Sequence, residues 1–124
     1  MFDVVTYFDR HGNDEIQRFL DELDAKSASG NKNARINYEK IREYIATLKQ
    51  YGTAIGMPEI RKIKGSKENL WELRPLKNRI FFMAWQGNKF VLLHHFQKKT
   101  GKTPQEEIKR AENKLQDWKE RFGE

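Results

Sequence analysis

Residues Leu70–Lys99 read LWELRPLKNRIFFMAWQGNKFVLLHHFQKK. Three short apolar runs lie in this stretch, Leu70–Leu73, Ile80–Trp85 and Phe90–Phe96, each rich in aromatic or branched side chains. Runs of this kind bounded by turn residues are strand signals. Pro75 and Asn78 break the first junction, and Gln86-Gly87-Asn88-Lys89 breaks the second. Gly-Asn is a two-residue hairpin turn, because glycine takes positive φ at little steric cost. The stretch therefore predicts a three-stranded antiparallel meander. With Gln86 paired to Lys89, Ala84 lies opposite Val91, Phe82 opposite Leu93 and Ile80 opposite His95. The other face then carries Arg79, Phe81, Met83 and Trp85 beside Phe90, Leu92, His94, Phe96 and Lys98. Both faces are apolar at their centre, so both need cover.

The polar residues of the stretch gather at the end of the sheet away from the Gly87-Asn88 turn. They are Glu72, Arg74, Arg79, His94, His95, Lys98 and Lys99. Two readings are open for these converging cations. They can hold an anionic ligand, or they can guard a sheet edge against unwanted pairing.

Elements on either side supply the cover. Phe2–Phe8 is a β-type run. Gly12 or Asn13 can cap a helix running to about Lys26, with Ile16, Phe19, Leu20 and Leu23 on one stripe. The break Ser27-Ala28-Ser29-Gly30-Asn31 precedes a second helix from about Asn33 to Tyr51, striped by Ala34, Tyr38, Ile41, Ile45 and Leu48. Two amphipathic helices with a short link form a helical hairpin able to cover one sheet face. Gly52–Pro58 reads as a loop. Glu59–Asn69, EIRKIKGSKEN, alternates isoleucines with cations and reads as a short strand or extended edge, either a basic flap or a solvated run. After the sheet, Thr103-Pro104-Gln105-Glu106 has the pattern of a capping box with proline at the first helical position. The helix it starts runs to about Arg121, with Ile108, Ala111, Leu115, Trp118 and Phe122 on its apolar stripe. The expected class is α+β: a small antiparallel sheet of N-terminal strand plus meander, with a helical hairpin and a C-terminal helix, one domain over residues 1–124.

Composition narrows the chemistry. The 124 residues carry 24 Lys plus Arg against 18 Asp plus Glu, a formal charge of +6. Cations crowd at Arg61, Lys62, Lys64 and Lys67 and again at Lys98, Lys99 and Lys102. Such clusters fit a polyanionic partner. There is no cysteine, which removes disulfides, thiolate metal sites and a cysteine nucleophile. The opening MFDVVTYFDR has neither a basic leader region nor a long apolar core, so no secretory signal is expected, and a cytoplasmic location fits. No apolar run approaches a membrane span in length, so no membrane partner is expected. No HExxH, phosphate loop or GxSxG is present. Neighbouring strand residues point to opposite faces, which argues against a metal shared by His94 and His95. Neither metal nor cofactor is expected.

One chemistry uses the types present. RNA cleaves when its 2′-OH attacks the adjacent phosphate. The catalyst must hold that phosphate, neutralise the pentacovalent state and move two protons. Arginines suit the first two tasks through bidentate donation. Lysine or histidine can serve the proton transfers. Arg74, Arg79, His94 or His95, Lys98 and Lys99 supply these groups.

The ordered blocks Lys62-Ile63-Lys64-Gly65, Leu70–Arg74, Arg79–Phe82 and Leu92–Pro104 resemble RelE/HigB-type toxins of bacterial type II toxin–antitoxin systems, in the branch described as phage-derived. The resemblance covers nearly the whole chain. It implies a RelE-like α/β fold and an endoribonuclease that cleaves mRNA in the ribosomal A site. It also implies inhibition by a cognate helix-turn-helix antitoxin in a hetero-oligomer. By this resemblance, Arg79 matches a phosphate-binding arginine in the second meander strand. Lys99 matches a basic residue that stabilises the transition state, and Arg74 matches the arginine of the ELR element. The best-known members carry lysines where this chain has Leu70 and Glu72, and a tyrosine near the position of Gln105 or Glu106. Glu72, His94 and His95 thus all stand as candidates for general base and acid. Lys62, Lys64, Lys98 and Lys102 are the expected phosphate contacts along RNA. The competing reading is a non-catalytic basic module that binds RNA or a protein.

Overall fold

The computed structural model describes residues 1–99 and 101–123. Strand β1 (Asp3–Thr6) is followed by helices α1 (Glu15–Ala28) and α2 (Lys32–Tyr51). A 3₁₀ turn at Gly52–Ile55 leads to β2 (Ile60–Lys62), β3 (Trp71–Leu73), β4 (Asn78–Trp85), β5 (Lys89–Gln97) and α3 (Gln105–Phe122). The strands form one five-stranded sheet in the order β1-β5-β4-β3-β2. The expected class is borne out: an α+β fold with a sheet, a helical hairpin and a C-terminal helix.

The sheet is mixed rather than wholly antiparallel. β2 to β5 alternate in direction, but β1 pairs with β5 in parallel, Asp3 opposite Lys89 and Thr6 opposite Leu92. Tight turns dictate antiparallel neighbours within the meander. The partner of β1 is remote in sequence, and no turn sets its direction.

The hairpin register also departs from the expected one. Trp85 pairs with Lys89, so the loop holds three residues, Gln86, Gly87 and Asn88. Gln86 (φ 41°) and Gly87 (φ 75°) both take positive φ there. Ala84 consequently lies opposite Phe90, and Phe82 opposite Leu92. An irregularity between Phe81 and Phe82 then skips Leu93, so that Ile80 does lie opposite His95. A β-bulge of this kind absorbs one extra residue and restores the alternation beyond it.

The two faces are covered by different helices. Ile80, Phe82, Phe90 and Leu92 pack with Ile16 of α1 and Ile41 and Leu48 of α2. On the other face Phe81, Met83, Trp85, Val91 and Leu93 pack with Ile108, Ala111, Leu115 and Trp118 of α3. The stripes read from helical periodicity face the sheet, because a face three to four residues apart must find apolar cover, except that Phe122 at the end of α3 stays 43% exposed. Asp14 caps α1 by accepting from the Gln17 amide, and Asn31 caps α2 through the Ala34 amide. The capping box before α3 does not form. Pro104 is the cap residue, and the Thr103 hydroxyl is taken up elsewhere. No helix among the described residues is long and apolar enough to cross a membrane.

Candidate functional site

α3 packs on the sheet face that carries Phe81, Met83 and Trp85. Antiparallel pairing brings Arg61 of β2 opposite Glu72 of β3, and Glu72 opposite Phe81 of β4. Arg79 lies two residues before Phe81 on β4 and thus on the same face. The Glu72 side chain is fully buried. An unpaired carboxylate there would be prohibitively costly. Arg61 Nη2 donates to it at 3.0 Å, and Arg74 Nε lies 3.5 Å from the same oxygen. Arg61 Nη2 also donates to the Thr103 hydroxyl at 3.2 Å, which ties the approach to α3 onto the sheet edge.

Arg79 is 8% exposed. Its Nη1 donates to the Leu76 carbonyl at 2.7 Å and the Asn78 carbonyl at 2.8 Å. Leu76 takes φ 59°, a strained value for a branched residue. Arg79 Nη1 thus gathers two carbonyls of the β3–β4 turn. Burial lowers the Arg79 pKa, opposed by the nearby Glu72 charge. Arg74 Nη1 donates to the Pro58 carbonyl at 3.3 Å. Arg79 Nε is buried without a hydrogen-bond partner, whereas the buried Arg74 Nε faces the Glu72 carboxylate as an ion pair. An orphaned guanidinium donor is unusual, because buried donors are normally satisfied. Lys98, just past β5, has its pKa lowered by partial burial and next by the Arg79 charge. A lysine made easier to deprotonate is better suited to proton transfer.

The structure therefore brings together Glu72, Arg74, Arg79 and Lys98 and separates the histidines from them. His94 and His95 take opposite faces. His95 stacks on Phe19 of α1 at 4.3 Å between ring centroids. His94 lies towards α3, with Nε2 2.7 Å from Glu107 and Nδ1 2.8 Å from the Lys114 ammonium. Lys114 in turn pairs with Glu15 of α1 at 2.8 Å. The ammonium can only donate, so Nδ1 accepts and Nε2–H donates to Glu107, the pattern of a neutral imidazole. Burial lowers the pKa of both histidines. The rings of Phe81 and Phe96 stand beside His94 on the sheet face. Lys99 is exposed beyond β5.

The four lysines expected along RNA are not equivalent. Lys64 and Lys102 line a cleft beside the cluster. Lys62 borders it too, but its ammonium turns to Asn69 at 2.7 Å and over the Trp71 ring at 5.0 Å. Lys98 belongs to the arginine cluster itself. Thr100, part of the same motif, lies outside the described residues. Arg61 and Thr103 join the cluster although sequence reasoning gave them other places, one in a basic run and one in a cap. The available signal was the opposite-charge pair that forms when Ile60-Arg61-Lys62 is laid antiparallel to Trp71-Glu72-Leu73. Among the described residues, no group of three or more His, Cys, Asp or Glu is placed to hold a metal ion.

Residues 18–116 match the family described as phage-derived protein Gp49-like (DUF891). That family is associated with RelE-like toxins of toxin–antitoxin systems. No curated protein matches the chain. With most of its length matched, from within α1 to within α3, the chain belongs to the Gp49-like family of phage-derived proteins.

Proposed function

We propose that the chain is the toxin of a type II toxin–antitoxin system and cleaves mRNA on the ribosome. The observation that carries this reading is the gathering of Arg74, Arg79 and Lys98 around the buried Glu72, with Arg79 Nε buried and without a hydrogen-bond partner. Family membership supports the toxin class. In the reaction the 2′-oxygen attacks the adjacent phosphorus and loses its proton, and the 5′-oxygen leaves and gains one. Arg74 and Arg79 donate to the phosphate oxygens that gain charge. Lys99 adds positive charge from beyond β5. Lys98, with its lowered pKa, exchanges protons with the 2′- and 5′-oxygens. Glu72 orients the arginines, since a fully buried carboxylate flanked by Arg61 and Arg74 has no access to a ribose. His94 and His95 leave the list of proton carriers. One is engaged at both nitrogens, and the other faces α1. A helix-turn-helix antitoxin would complete a hetero-oligomer in the cytoplasm.

The second reading is a basic module that binds without cutting. It draws on the commitment of Arg79 Nη1 to two backbone carbonyls, a structural use of that group. Primer extension on translated mRNA after induction separates the two. The first reading expects new 5′ ends within open reading frames, preceded by fragments ending in 2′,3′-cyclic phosphate. Cleavage by purified toxin and ribosomes should persist once chelator is balanced by the magnesium that ribosomes require. A 2′-O-methyl group at the cut position should block it. Efficient cutting of the methylated message would remove the 2′-OH mechanism, and intact messages would leave the binding module.

A further inference from the structure

Beside the arginine cluster, the β2–β3 connection and the first turns of α3 enclose a cleft of about 480 Å³. That volume lies inside the range of about 300–1,000 Å³ typical of small-ligand sites. Its floor is aliphatic, formed by the buried Ile63 and Ile108. Its rim is polar, with Arg61, Lys64, Lys102 and Gln105. The walls are fastened to one another at two places. Arg61 holds Thr103 at 3.2 Å, and the Ser66 hydroxyl donates to Glu112 of α3 at 2.6 Å. Between these ties the Gln105 amide nitrogen lies so close to the turn that a methyl group on Gly65 would sit 3.3 Å from it. Gly65 also takes φ +87°, which a side chain would strain. The cleft is thus formed before any ligand arrives.

A free phosphate would use the cations and gain nothing from the isoleucines. A lipid chain or apolar peptide would use the isoleucines and bury the cations at a cost. A nucleotide meets both, with a planar apolar face and an anionic tail. We propose that this cleft seats one nucleotide of the bound RNA. The base lies on Ile63 and Ile108, the phosphate lies at the Lys64 and Lys102 rim, and the Gln105 carboxamide reads the base edge. A carboxamide offers a donor and an acceptor side by side, the complement of adenine's paired N6 and N7. Adenine is therefore the favoured base. The proposal rests on the RNA-cleaving reading for the source of the nucleotide.

The test is an NMR titration of the full chain, with labelled isoleucine methyls, by 5′-AMP, 5′-UMP and inorganic phosphate in turn. 5′-AMP should shift the Ile63 and Ile108 methyls at lower concentration than 5′-UMP, and phosphate should leave them in place. Gln105→Ala should weaken 5′-AMP about fivefold, the size of one lost hydrogen bond. Methyl shifts as large with phosphate as with 5′-AMP, an absence of shifts, or binding indifferent to Gln105→Ala would each overturn the proposal. Because the readout is binding, the two readings fail separately. A chain that takes 5′-AMP here yet leaves translated mRNA intact keeps the cleft and loses the nuclease. A chain that cuts mRNA without methyl shifts keeps the nuclease and loses the cleft.

Discussion

Arg79 has two tasks at once. Its Nη1 binds the carbonyls of Leu76 and Asn78, and its Nε is buried without a partner. Arg79→Ala should therefore remove about 3 kcal/mol of transition-state stabilisation, the loss typical of one preorganised donor. It should also lower the melting temperature, because two carbonyls lose a donor and Leu76 loses the partner that holds its positive φ. Arg79→Lys restores the charge without the planar fork, so cleavage should stay impaired while part of the stability returns. Activity and melting temperature measured together check this; a fully toxic Arg79→Ala variant would take the residue out of the site. At His94 the expected signature is pH dependence. The ring faces Glu107 and Lys114, with Glu15 and His95 nearby, and burial lowers its pKa below the ordinary 6.5. The unfolded chain then binds protons that the folded chain resists, so stability rises with pH across that window and falls as pH drops below 6.5. His95, also lowered, adds in the same direction. Denaturation midpoints followed from pH 7 to 5 should fall in the native chain and fall less in His94→Gln; parallel slopes would mean that His94 titrates normally.

Among the elements, β2 depends most on a single side chain. It pairs with β3 over only three residues and closes the sheet. Glu72 anchors it through Arg61, and Arg61 carries the tie to Thr103 before α3. Glu72→Gln keeps the shape and removes the charge. The expected cost is about 2 kcal/mol, in the range for hydrogen bonds to charged groups. It falls short of the cost of breaking a fully buried pair because the Arg61 side chain is 37% exposed and can rehydrate. Amide exchange should accelerate in β2 and at the start of α3 well before it does in β4, which is flanked by strands on both sides. Uniform acceleration across the sheet would mean that Glu72 supports the whole fold rather than this edge.

For the whole molecule, the excess charge of +6 predicts salt-sensitive association with a polyanion. The fold sorts the lysines that supply it. Lys64 lines the cleft, whereas the Lys62 ammonium is occupied by Asn69 and Trp71. Lys64→Ala should reduce the slope of log affinity for RNA or ribosomes against log salt by roughly 0.7–0.9, the loss of one phosphate contact. Lys62→Ala should leave that slope nearly unchanged. Equal effects from the two would show that the basic run acts as a diffuse field instead of a set of placed contacts.

Local pattern by itself determined the elements. Alternation and turn residues in Leu70–Lys99 specified the meander, and three-to-four spacing specified the stripes of α1, α2 and α3, because burial demands those periods whatever the partner. Tertiary structure alone decided the parallel placement of β1, since its neighbour on β5 lies more than eighty residues away and no turn constrains it. It also decided the register. Gly87-Asn88 allows a two-residue turn, yet Gln86 joins the loop, and the skipped Leu93 brings the alternation back before His94. The three-residue loop exchanges the faces of Val91 and Leu92, and the bulge keeps His95 opposite Ile80. In the candidate site, the residue types were visible as a cluster of cations around Glu72, but their division of labour was not. Burial and partners turn Glu72 into an anchor, Thr103 from a helix cap into a tie, and His94 into a bridge between β5 and α3. Those roles come from groups that meet only across the folded sheet.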